Sequence, residues 1–187
     1  MKFEHLAWFL TLLLVGTVLV GCRTTPAPIT TSTPVPTATP VTYTDPFAYC
    51  AAVGTADTPG AAYAGPKVPE SVAQGLQQAL NAPDTPMDVL QNGSLWRCMD
   101  SGVYACFVGA NLPCEAKANT DRTPTQEEID YCQQNPNSDF IPAVVTGRET
   151  VYEWRCLDGA PAIVKQSSQP DAQGFLSDIW YKISPNA

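Results

Sequence analysis

Apolar residues are spaced in three different ways along this chain, and each spacing predicts a different structure. Leu6 to Val20 is a nearly unbroken apolar run, interrupted only by Thr11, Gly16 and Thr17. Strict alternation, the signature of a strand with one buried face, marks the stretches before and after two short polar breaks. Helical spacing at intervals of three and four occurs in two further segments.

The alternating stretches form an internal echo. Trp96-Arg97-Cys98-Met99-Asp100-Ser101-Gly102 recurs as Trp154-Arg155-Cys156-Leu157-Asp158-Gly159. Each copy runs on into a second apolar stretch, Val103 to Val108 and Ala160 to Val164. Asp-Gly or Asp-Ser-Gly between such runs predicts a β-hairpin, because glycine accepts the positive φ of the turn. Alternation sets Tyr152, Trp154 and Cys156 on one face and Val151, Glu153 and Arg155 on the other. In the first copy Trp96 and Cys98 share a face, with Arg97 opposite. The pattern therefore predicts two related hairpins with tryptophan and cysteine inward and arginine outward. A final run, Ile179 to Ile183, predicts a strand beside the second hairpin.

Two helices are predicted. Val68 to Leu80 starts with Pro69 at a suitable first position, carries Val72, Leu76 and Ala79 as a stripe, and stops at Asn81 and Pro83. Thr123 to Asn135 has Thr123 as cap with Gln126 in return, Pro124 at the first position, and Glu127 and Glu128 at the positive end of the dipole. Pro136 ends it. The fold class is α+β: a small antiparallel sheet of both hairpins and the last strand, with segregated helices.

The apolar leader is too short to span a bilayer, which takes roughly 20 residues, and it follows Lys2 closely. Leu19-Val20-Gly21-Cys22 then reads as a lipoprotein processing site, making Cys22 the lipid-bearing first residue of the mature chain. Several acyl chains on one cysteine anchor stably where one chain does not. Arg23 follows Cys22, so no aspartate-type inner-membrane retention signal is present, and the outer membrane is open to it in a two-membrane cell. Between Arg23 and Thr44 lie five prolines and nine threonines with Arg23 the only charge. That composition builds no core, and full polyproline extension would reach roughly 70 Å. The predicted organisation is a leader (1–21), an anchored stalk (22–44) and one globular domain (45–187).

Six cysteines fall in that domain: Cys50, Cys98, Cys106, Cys114, Cys132 and Cys156. An even number in an exported domain predicts three disulfides. The expected pairs are Cys98–Cys106 within the first hairpin, Cys114–Cys132 beside it, and Cys50–Cys156. No CxxC pair is present, which argues against zinc. The single histidine, His5, lies in the leader. Its removal leaves no Ser-His-Asp or Cys-His nucleophile, no histidine base and no histidine-ligated metal. No cofactor or metal is expected. The net charge is −8, and losing Lys2 and Glu4 together leaves it unchanged. Such a chain gains no counterion-release energy from nucleic acid, so none is expected as a partner.

The segments Asp45-Pro46-Phe47-Ala48-Tyr49-Cys50, Val103 to Cys106 through Gly109 to Cys114, and Phe140 to Cys156 carry a resemblance. Together they look like an uncharacterised family of small exported bacterial proteins. The resemblance spans most of Asp45 to Ile183 and implies a domain boundary, with no activity attached.

Candidate chemistry is sparse. Glu127, Glu128 and Asp130 cluster on one helix, where a pair could serve glycoside hydrolysis if a carboxylate faced it across a cleft; a solvated, dipole-favoured first turn is the much stronger reading. Asn135, Asn137 and Asp139 alternate, but lack the glycine and distal glutamate of an EF-hand loop. Arg97 and Arg155, projecting from equivalent hairpins with Tyr104 nearby, are the candidate anion site. Trp180 is the candidate stacking residue. The expected function is non-enzymatic: a lipid-anchored extracytoplasmic domain, joined to the membrane through Cys22, that binds an envelope polymer or a protein partner. The alternatives are an inhibitor of a cell-wall-degrading enzyme, weakly similar in its Cys-x-Asp-Gly hairpins to small lysozyme inhibitors, and a carboxylate-based glycoside hydrolase.

Overall fold

A computed structural model describes residues 41–185. Cys22, the leader and nearly all of the stalk lie outside these residues. The chain is α+β, with five helices and five strands in two antiparallel sheets among the described residues. Both predicted hairpins form. β1 (Ser94–Met99) pairs with β2 (Gly102–Phe107), and β3 (Tyr152–Leu157) pairs with β4 (Ala160–Gln166). The single sheet expected from them does not form. β5 (Tyr181–Ile183) joins β2 of the first hairpin, not the second, so the sheets are β1-β2-β5 and β3-β4.

The turns differ in a telling way. Asp158 and Gly159 take φ of 52° and 83° at the tip of the second hairpin, as its Asp-Gly pair demands. In the first, Met99 pairs with Gly102, so the turn residues are Asp100 and Ser101, at φ of 50° and 60°. The glycine stands in the strand, and a serine holds the left-handed position. The N–H of Ser101 donates to the carbonyl of Gly54, which fixes the tip.

Helix α1 (Pro46–Val53) was not anticipated, although Asp45 caps it through both carboxylate oxygens and Pro46 stands in its first turn. α2 (Glu70–Ala79) matches the first predicted helix, with Pro69 as cap residue rather than first helical position. α3 (Met87–Gly93) leads directly into β1. α4 (Gln126–Gln134) is the second predicted helix, but its cap is Thr125, not Thr123. Thr125 and Glu128 form a reciprocal capping box, so Gln126 is not the returning residue and Glu128 is buried. One turn, α5 (Ala143–Thr146), follows.

Two cores result, one on each face of the first sheet. Trp96, Cys98, Val103 and Ala105 pack with Val72 and Leu76 of α2, Leu90 of α3 and Tyr49 of α1. Each fully buried aliphatic side chain there contributes roughly 1.5–3 kcal/mol. The opposite face, with Leu95, Tyr104 and Cys106, packs against Phe175, Leu176, Ile179 and Trp180 and the inner face of the second hairpin. The first sheet is therefore a middle layer.

The disulfides are Cys50–Cys98, Cys106–Cys114 and Cys132–Cys156, and none of the expected pairs occurs. The register explains the first miss. Cys98 lies opposite Val103 and Cys106 opposite Leu95, so the two cysteines point to opposite faces of the sheet and enter different cores. Cys98 instead ties β1 to α1, Cys106 ties β2 to the following loop, and Cys132 ties α4 to β3.

Candidate functional site

The outward arginine pair does not exist. Arg155 is exposed, as predicted, but Arg97 is fully buried. The difference comes from what covers each hairpin. β3 alternates buried and exposed residues cleanly, leaving its outer face to solvent. The outer face of β1 is covered by the loop that runs from Gln169 to Trp180. There the Arg97 guanidinium pairs with the Asp171 carboxylate, donates to Gln173 Oε1 at 2.8 Å, and lies 4.4 Å and 4.3 Å from the ring centroids of Phe175 and Trp180. Buried charge of this kind persists only when paired. Burial by itself would raise the Asp171 carboxyl. The Arg97 guanidinium and the N–H groups of Phe175 and Gln173 outweigh that and hold it below the usual carboxylate range. Tyr104 stands opposite Arg97 in the ladder, partly buried against the second core. Trp180 is 7% exposed and belongs to that core, so it is not a free stacking surface.

The remaining acidic candidates are structural. Glu128 closes the capping box, Asp130 accepts from Gln126, and Glu153 pairs with Lys165 at 3.2 Å instead of with Arg155. Asn135 caps the end of α4 through Tyr131. No group of three or more His, Cys, Asp or Glu side chains suited to a metal ion occurs among the described residues.

What the structure assembles instead is a cleft of about 520 Å³ at the open edge of β1. Its geometry follows from one divergence. Cys98 and Ala56 exchange both main-chain hydrogen bonds, at 3.0 Å each, as an antiparallel bridge on the side of β1 away from β2. A continued ladder would set Thr58 against Trp96. The chain departs instead: the Asp57 carboxylate takes Lys117 Nζ at 2.5 Å and Gln173 Nε2 at 2.6 Å. Asp57, Thr58 and Pro59 thus become one wall, and Ser94, Leu95 and Trp96 the other. Tyr63, Phe175 and Trp180 add aromatic lining, and Lys67, Glu115 and Lys117 add charge at the rim.

Its lining residues are packed and hydrogen-bonded to one another, and some carry buried polar atoms without a partner. Trp96 Nε1 donates to the Lys67 carbonyl at 2.7 Å, and Tyr63 packs edge-on to Trp96 with ring centroids 4.8 Å apart. Lys117 Nζ lies 3.6 Å from the Phe175 centroid and also donates to the Gln173 carbonyl. Hydrogen bonding from Lys117 is the main influence holding the Asp57 carboxyl below its usual range. Tyr63 Oη, Ser94 Oγ and Trp180 Nε1 have no hydrogen-bond partner among the described residues, although native structures pair most such groups. Burial, with Asp45 adding to it, raises the Tyr63 phenol above its ordinary value, so it stays neutral.

Sequence reasoning missed this site because its parts are far apart in the chain and follow no motif. Comparison with protein-family models, curated proteins and solved structures finds no match.

Proposed function

We propose that this is a binding domain, held at a membrane through lipid on Cys22, that takes an apolar group of an envelope component or protein partner into the cleft beside β1. The observation that carries this reading is the cleft itself: concave, aromatic-walled, and bordered by a few fixed polar groups. Ligand sites in proteins have this composition. The cleft also holds two carboxylates, Asp57 and Glu115, but a general acid needs a raised pKa, and that of Asp57 is lowered by Lys117. Asp57 is therefore no candidate for that acid.

The test uses chain 22–187 with Cys22→Ser and its disulfides intact. Indole and N-acetylleucine amide serve as small apolar probes, both followed by NMR shifts and the non-fluorescent leucine amide also by the fluorescence of the tryptophans in the wall. Expected are saturable shifts at Leu95, Trp96 and Trp180, lost in Thr58→Arg, which fills the mouth from an exposed position at unchanged Tm. Shifts scattered over the surface, or shifts indifferent to Thr58→Arg, would remove the cleft as the site.

A further inference from the structure

Strands exchange main-chain hydrogen bonds with each neighbour at alternate residues. Because Cys98 bonds outward to Ala56, the N–H and C=O of Trp96, two residues earlier, point to the same outer edge. Neither is hydrogen-bonded to any described residue. Trp96 lines the cleft, and the whole residue is 3% exposed. Ala56 has already begun an antiparallel strand along this edge, and Asp57 to Pro59 abandon it. The edge is thus paired at one end, unpaired at the other, and has a cavity beside the unpaired part.

We propose that the cleft receives an extended peptide that continues the bridge begun by Ala56. It pairs antiparallel to β1 at Trp96, seats one apolar side chain in the cavity and sets a carboxylate against Lys67. Main-chain pairing supplies affinity in this mode of recognition, and the pocket supplies specificity. Lys67 is the partner for the carboxylate; Glu115, also exposed, is the opposing charge in the same lining. The chain as a whole carries −8, yet two of the four lysines between residues 41 and 185 stand at this rim. Lys117 is committed to Asp57, whereas Lys67 is exposed and makes no ion pair with any described residue. A side-chain or C-terminal carboxylate satisfies it equally. The proposal rests on the cleft being a binding site and goes further in naming what it binds.

Random seven-residue peptides displayed on phage are selected against the Cys22→Ser chain, with Thr58→Arg as counter-selection. The strongest binder is then made as a synthetic peptide. The expected result has three parts. Enriched sequences place an apolar residue near a carboxylate. The bound peptide slows hydrogen exchange of the Trp96 amide at least ten-fold. Methylating the one peptide nitrogen that donates to the Trp96 carbonyl weakens binding at least ten-fold, while methylation at the neighbouring residues does not. Lys67→Glu should weaken the same peptide by about ten-fold, and a capped amide analogue lacking the carboxylate should lose that sensitivity. No enrichment, or a flat methylation scan with unchanged Trp96 exchange, overturns strand addition. If the small probes still bind under those conditions, the pocket stands and only the peptide fails. Self-association through two β1 edges, seen as a dimer by sedimentation that the peptide does not dissolve, also overturns it.

Discussion

Replacing Asp171 by asparagine tests the buried arginine directly. Asparagine keeps an oxygen for the N–H groups of Gln173 and Phe175, which Asp171 Oδ1 accepts at 2.9 Å and 3.1 Å, but removes the charge and puts an amide donor where Oδ2 accepts from Arg97. Arg97 is then left with one neutral acceptor, Gln173, and two ring faces. Removing one partner of a buried pair costs about 3–5 kcal/mol, because the surviving charge is stranded. Asp171 is 8% exposed at its side chain and Gln173 remains, so the lower end, about 3 kcal/mol, is expected. The assay is urea unfolding at neutral pH with disulfides intact, reading the midpoint at constant slope. Adding Arg97→Met to Asp171→Asn should recover at least half of the loss, since no buried charge then remains. A single-variant cost below about 1 kcal/mol would refute the clamp, because an exposed pair contributes no more than that. A double variant no better than the single would locate the cost in packing. The pH dependence has a fixed sign. The folded-state pKa of Asp171 is lowered, so its contribution is present above the ordinary aspartate value of about 4 and is lost as pH falls through the folded value.

Three other predictions are independent of the cleft. Glu128→Ala should destabilise the domain by about 1 kcal/mol through the lost capping box, whereas Thr123→Ala, at the position the sequence suggested, should leave the urea midpoint unchanged. Ser101→Gly relieves a left-handed residue at the first hairpin tip and should raise stability by about 1 kcal/mol, read as a rise in Tm; a fall would mean the serine side chain matters more than its backbone. Non-reducing peptide mapping should recover Cys50–Cys98, Cys106–Cys114 and Cys132–Cys156. Deleting the pair that closes the longest loop, 48 residues apart, should cost about 4 kcal/mol, against about 2.5 for the pair 8 apart.

The local elements were legible because short-range chemistry decides them. Asp158-Gly159 could only be a tight turn, and alternation around Trp154 placed the inner face of β3 correctly. α1 is equally legible in its Asp45-Pro46 start. Thr123 and Thr125 both stand three residues ahead of a Gln or Glu, and the sequence alone does not choose between them. Part of the disulfide pattern is legible too: a two-residue turn at Asp100-Ser101 fixes the register, and the register puts Cys98 and Cys106 on opposite faces. Arg97 was not legible in the same way. Its local pattern is that of Arg155, and what separates them is the segment Gln169 to Trp180, a bridged loop ending in one 3-10 turn, folding back over one hairpin and not the other. The cleft was hidden for the same reason, since Asp57, Trp96, Lys117 and Gln173 meet only through such long returns.

The three disulfides join first cysteine to second, third to fourth and fifth to sixth, so their loops follow one another and never interleave. A chain oxidised from its amino-terminal side while still emerging would therefore close each bridge with the next cysteine to appear. Each sulfur meets its native partner before any later competitor exists. Thiol–disulfide shuffling, which corrects crossed pairings at the cost of seconds to hours, has nothing to correct along that route. The same chain oxidised after synthesis, with all six thiols exposed at once, meets fifteen possible arrangements. Yield in refolding should thus depend on the order in which the cysteines are presented, a property of connectivity that neither core nor cleft reveals.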